Sequence, residues 1–134
     1  IRNRVDFESV LTYDSRTIKD GKIVSDAMID DISLVLILRQ GLIVVSGCSH
    51  AGIISIIDTA VRLTGIERVA AVIGGFHLIE AAENRIAKTT DALLALEGTQ
   101  IYTGHCTGFP AEAYISGRMG ERFHKLRTGL KINL

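Results

Sequence analysis

Residues 41–52 read GLIVVSGCSHAG, and the fold follows from how that stretch changes character. Ile43, Val44 and Val45 are β-branched and favour an extended backbone. The run stops at Gly47, turns through Cys48 and Ser49 and delivers His50, after which the apolar period becomes helical. Two further stretches repeat the phrase: VAAVIGGFH ends on His77 and QIYTGH ends on His105. Each is an apolar run that halts at glycine and then presents a histidine.

Working outward, residues 33–38 form a second apolar run, separated from residues 42–46 by Arg39, Gln40 and Gly41. So short a connection fits an antiparallel hairpin and excludes a parallel pair. The near-continuous Val, Ile and Leu content of both runs predicts burial on both faces. Past the turn, Ile53, Ile54, Ile57, Ala60, Val61 and Thr64 share one helical stripe, and Gly65 is placed to end that helix. Residues 69–73 read as a strand, and residues 83–97 as a helix with Ile86, Leu93 and Leu96 inward and Arg85, Lys88 and Asp91 outward. Residues 100–103 read as a strand, and residues 111–119 as a helix with Pro110 at its first position. Alternation of Leu126, Thr128, Leu130, Ile132 and Leu134 predicts a final strand. Residues 1–31 read as an irregular lead-in, with a short strand over 9–13 and a turn at Asp20 and Gly21 before Ile23 and Val24. The core, 32–134, has the order β-β-α-β-α-β-α-β. That order predicts an α/β domain: a mixed sheet with helices packed on it, the helix-linked strands being parallel neighbours.

The totals agree with one packed unit or part of one: 134 residues, 47% hydrophobic, with a single proline. Fifteen basic residues balance fifteen acidic ones, so neither nucleic acid nor an anionic membrane is expected as a partner. Every apolar run is broken before membrane-spanning length, and no leader is visible. Two cysteines in glycine-rich turns point to reduced thiols and a cytoplasmic protein.

Parallel strands joined by helices end at one edge of the sheet, so His50, His77 and His105 are expected to converge there. A lone loop histidine is usually a satisfied polar residue. Three at equivalent positions make a site the stronger reading, and clustered neutral imidazoles suit metal ligation. His124 lacks the glycine turn and is expected at the surface beside the last strand. Cys48 and Cys106 are read as small buried residues, with soft metal ligation the alternative. A rival scheme stays open: GCSHA is one residue from the G-x-S-x-G elbow, which would make Ser49 a nucleophile, His105 its base and Asp91 the acid. A third has backbone N–H groups of the 47–50 and 104–108 turns cradling phosphate at helix N-termini.

GLIVVSGCSHAGI, AVIGGFHL and GHCTGF, in this order and with the DDISLVL lead-in, resemble the C-terminal half of the metallo-β-lactamase superfamily. The branch is that of metal-dependent hydrolases similar to the dihydropterin–ribofuranosyl-aminobenzene-phosphate synthase of methanopterin biosynthesis. The resemblance implies half of an αββα sandwich, with residues 1–134 a single partial domain. It implies zinc held by His50 and His105, with His77 at the pocket as a further ligand or as the group that polarises the substrate. Ser49, Cys48, Cys106 and Thr107 would line the substrate pocket. A metal-bound hydroxide would attack an ester-like or phosphate-containing small molecule. The family's H-x-H-x-D-H signature, which supplies further ligands, is not in this sequence. The chain therefore reads as the second half of such a domain. Alone it is expected to bind metal weakly or not at all, to show little activity, and to form a homo-oligomer that covers an exposed sheet face. The alternative to an enzyme is a non-catalytic oligomerising domain.

Overall fold

The computed structural model describes residues 5–8, 15–26 and 28–133. The strand expected over 9–13 lies outside the described residues, as does Leu134. Within the lead-in a short hairpin forms, β1 (Arg16–Lys19) against β2 (Lys22–Ser25), antiparallel. Its turn is Asp20–Gly21, both with φ in the left-handed region (52° and 73°), as a two-residue hairpin requires. The lead-in is thus more regular than its sequence suggests.

The core order is as expected. It comprises β3 (Ser33–Leu38), β4 (Gly41–Ser46), α1 (Ile53–Thr64), β5 (Val69–Gly74), α2 (Glu83–Ala95), β6 (Gln100–Thr103), α3 (Phe109–Met119) and β7 (Phe123–Lys125). The five strands form one sheet in the order β3-β4-β5-β6-β7. β3 and β4 are antiparallel, and each later pair is parallel. The α1 stripe buries Ile53, Ile54, Ile57 and Ala60, and Gly65 ends the helix at φ 70°, its N–H donating to the Val61 carbonyl. Pro110 sits in the first turn of α3, where its missing N–H costs nothing.

Two expectations fail for one reason each. β3 is not buried on both faces: it is an edge strand, with Leu34 57% and Ile37 61% exposed. Apolar content alone cannot tell an edge strand from a central one. Residues 126–133 form no strand; the last strand is β7, three residues long, paired in parallel with β6. The register puts Val35, Val44, Val72, Ile101 and Phe123 in a row on one face, which joins residues of all three helices in a single core. The opposite face carries Leu34, Val45, Ile73, Tyr102 and His124, each at least partly exposed. Among the described residues no helix is long and apolar enough to cross a membrane.

Candidate metal centre at the sheet edge

β4, β5 and β6 are adjacent and parallel, so the turns that follow them meet at one edge. They are stitched together by the backbone. The Gly75 N–H donates to the Gly47 carbonyl (2.8 Å), and the Leu78 and Ile79 N–H groups both donate to the Cys106 carbonyl (3.0 and 3.1 Å). Each turn holds one non-glycine residue in the left-handed region: Ser49 (φ 58°), His77 (φ 50°) and His105 (φ 55°). Such backbone is costly for an L side chain, on the order of 1 kcal/mol, and persists where surrounding bonds over-determine it.

His50 and His77 pack edge to face, ring centroids 4.7 Å apart. His50 Nδ1 lies 3.7 Å from Asp31 Oδ1, and the other Asp31 oxygen accepts the Ala51 N–H at 3.0 Å, which fixes the carboxylate beneath the imidazole. An open depression of about 370 Å3 adjoins this pair, lined by Asp26, Met28, Asp30, Asp31, Ile32 and His50. His77 is buried, which lowers its pKa; the charges of His50 and Arg85 lower it further, and Asp31 opposes them. His77 is therefore held neutral, the form that ligates metal or accepts a proton.

His105 belongs to the third turn and is exposed. Its nearest donor companions are the two cysteines: one ligand atom each from Cys48, His105 and Cys106 lie within 4.8 Å of one another. Gly75 makes the room. A Cβ there would stand 2.6 Å from Cys106 Sγ and 3.5 Å from His105 Cδ2. The donors present, the His105 imidazole and two thiols, thus fit a divalent ion, with space beside Cys106 and His105 that a side chain at position 75 would fill.

Other expected site residues are placed differently. The Ser49 hydroxyl is fully buried and donates to the Gly75 carbonyl at 2.6 Å, with Ser46 Oγ 2.9 Å away. Asp91 sits on the surface of α2, 3.0 Å from Arg118. The Ser49–His105–Asp91 scheme therefore fails: the hydroxyl is a structural clasp, and the acid points elsewhere. Thr107 is likewise buried; its oxygen accepts the Phe76 N–H (3.0 Å) and contacts Thr103 Oγ1 (2.6 Å), which donates to the Gly74 carbonyl. It aligns the turns and is not open to a substrate. Burial pushes the Cys106 thiol up to about 11, so metal-free Cys106 is no nucleophile at neutral pH. Just past the 47–50 turn, at the start of α1, the Ile54 and Ser55 N–H groups already donate to the two Glu8 oxygens and so are closed to phosphate. His124 stands on β7 itself, half-buried, stacked on Tyr102 with its Nε2 2.8 Å from Gln100 Oε1.

Three contributors escaped the sequence reading. Asp31 lies in the DDISLVL lead-in and Glu8 among the first residues, and neither has a spacing to the histidines that marks its role. Arg85 was assigned outward, yet it is buried in the first turns of α2. Positions 85, 89 and 93 share one helical stripe, so its inward course was readable.

The neutrality of His77 gives a pH prediction. Its pKa is lowered on folding from the usual value of about 6.5, so the unfolded chain takes up the proton first. The stability this contributes is complete above about pH 6.5 and is lost as pH falls toward the lowered folded value. Urea midpoints of metal-free protein should drop over that window. In His77→Gln the drop should be shallower, and an unchanged slope would show that His77 is not its source.

No protein-family model matches the chain. It is 43% identical over 126 residues to the 7,8-dihydropterin-6-methyl-4-(β-D-ribofuranosyl)-aminobenzene-5′-phosphate synthase of Methanocaldococcus jannaschii, covering 94% of this chain and 43% of that protein. An uncharacterised protein of the same organism is 37% identical over 99 residues, covering 74% of this chain and 36% of that protein. Among solved structures, a metal-dependent hydrolase of the β-lactamase superfamily superposes with a TM-score of 0.80 at 30% identity, over 89% of this chain and 46% of that one. The chain spans less than half the length of each of these proteins.

Proposed function

The chain belongs to the metallo-β-lactamase superfamily, and from that premise we propose that it is the part of a metal-dependent hydrolase that contributes His50 and His105 as metal ligands and His77 as the group that engages substrate. The observation that carries this reading is the convergence of three left-handed turns at the ends of β4, β5 and β6, each presenting an imidazole. Backbone strain concentrated at one edge is the mark of a site held in place for chemistry. Zinc is the metal we assign, since it accepts imidazole and thiolate alike. When bound it supplies Lewis-acid polarisation of an ester-like or phosphate-containing small molecule. Asp31 orients His50, as second partners of ligating histidines commonly do. Neutral His77 is placed beside it to donate or accept one hydrogen bond. The synthase to which the chain is similar is named for a phosphate ester, which agrees with that substrate class.

The two cysteines are free, which fits a reducing compartment such as the cytoplasm. Self-association belongs to the same reading. Leu34 and Leu36 are 57% and 42% exposed on the sheet face away from the helices, and a second copy of the chain is the partner we assign to it. Sedimentation at micromolar concentration should show a dimer or larger species; a monodisperse monomer overturns this.

Calorimetric titration of the metal-free chain with Zn2+ tests the metal reading. One-to-one binding is expected, reversed by chelator. No binding at millimolar zinc would remove the metal from this sheet edge.

A further inference from the structure

The sequence-based expectation of weak metal binding counts histidines only, and the sheet edge holds more donors than that. Cys48 follows β4, while His105 and Cys106 follow β6, and the glycine turn after β5 passes between them. We infer that Cys48, His105 and Cys106 together form a thiolate–imidazole site that holds one soft divalent ion on this chain alone, leaving a fourth position open. The inference rests on the reading that this edge is a metal centre, and it names the donors of that centre that lie within the chain.

Four observations support it. The three ligand atoms already lie within 4.8 Å of one another. A tetrahedral zinc with Zn–S near 2.3 Å and Zn–N near 2.0–2.1 Å wants its donors roughly 3.5–3.8 Å apart, so they must close by about 1 Å. Rotation about the two cysteine χ1 bonds can supply that. Second, the chain keeps room beside two of the donors: a Cβ at Gly75 would stand 2.6 Å from Cys106 Sγ and 3.5 Å from His105 Cδ2. Third, both cysteines are free and only partly buried, so the two thiols are within reach of an incoming ion. Fourth, the Cys106 thiol donates to the Cys48 carbonyl at 3.5 Å, a weak S–H bond that is cheap to give up when the proton leaves.

On binding, each cysteine loses its proton to solvent and forms one S–metal bond; His105 donates a ring-nitrogen lone pair, and nothing is oxidised or reduced. The fourth position is then left for His50, the other ligand proposed at this edge, or for substrate, with His77 packed against His50.

The test is titration of reduced, metal-free chain with Co2+ under anaerobic conditions, read by absorption. One equivalent should bring up an intense thiolate-to-cobalt charge-transfer band in the near ultraviolet. Cys48→Ser and Cys106→Ser should each weaken the band, and the double variant should abolish it. His124→Gln, on β7 and outside these turns, should keep it. Cobalt binding with visible d–d bands but no charge-transfer band would overturn the thiolate site while leaving a histidine-held metal standing. No cobalt binding at all would overturn both. Should a cysteine variant fail to fold, the wild type still decides. One equivalent of Zn2+ should slow alkylation of both thiols by at least about tenfold, and unprotected thiols in zinc-saturated protein would refute the site.

Discussion

Glu8→Ala is expected to destabilise the chain by about 3–5 kcal/mol, measured as a lower urea midpoint with an unchanged slope. Glu8 is 2% exposed, and its carboxylate does three jobs at the start of α1. Oε1 accepts the Ile54 N–H at 2.9 Å, and Oε2 accepts both the Ser55 N–H and the Ser55 hydroxyl at 2.8 Å. Helix N-termini leave such donors without intrahelical partners and carry partial positive charge, so an anion there is worth more than a neutral cap. Removing it strands two buried amide donors, each costing about 1–3 kcal/mol, and opens a cavity. Glu8→Gln should recover part of the loss, since the amide oxygen can still accept one bond while its NH2 faces donors. A midpoint within error of wild type in Glu8→Ala would mean that water caps the helix as well as the carboxylate does. The consequence for the site is direct: α1 begins three residues after His50, so the same carboxylate fixes the turn that presents it.

The second large effect is on metal affinity. His50→Ala and His105→Asn should each weaken zinc binding by at least about 100-fold, since loss of an outer partner alone costs 10–100-fold. Asparagine is chosen at 105 because the residue sits at φ 55°, which asparagine tolerates and alanine does not. Both histidines are at least partly solvent-facing, so stability should move by less than about 1 kcal/mol. Unfolding of either variant would recast that histidine as a structural polar group. Undiminished zinc affinity in both would place the ion elsewhere.

The strand and helix order was legible because period and punctuation agree throughout. Gly65, Pro110 and the glycines before each histidine all fall where the backbone changes direction. The three histidines could be assigned to one edge because parallel strands leave no other choice. Misreadings occurred where a residue's fate depends on what lies across from it. β3 and β4 have the same composition, yet one is at the edge and the other is buried. Leu126, Thr128 and Leu130 alternate as a strand would, yet only Leu126 bonds to β6, its N–H donating to the Thr103 carbonyl, and no strand forms over these residues. Ser49 and Thr107 look like ligand-facing hydroxyls, yet both are spent tying one turn to the next.

By itself the sequence determined the parallel core, the single edge at which its turns gather, and the imidazoles carried there, because all of these follow from local periodicity and chain connectivity. Only the tertiary structure decided which side chains share that edge productively. It set Asp31 under His50, Arg85 near His77 and both thiols beside His105, and it brought Glu8 across 46 residues of chain to hold α1. Long-range pairings of this kind leave no spacing in the sequence, since the distance between two side chains is set by packing of the elements between them and not by the number of residues that separate them.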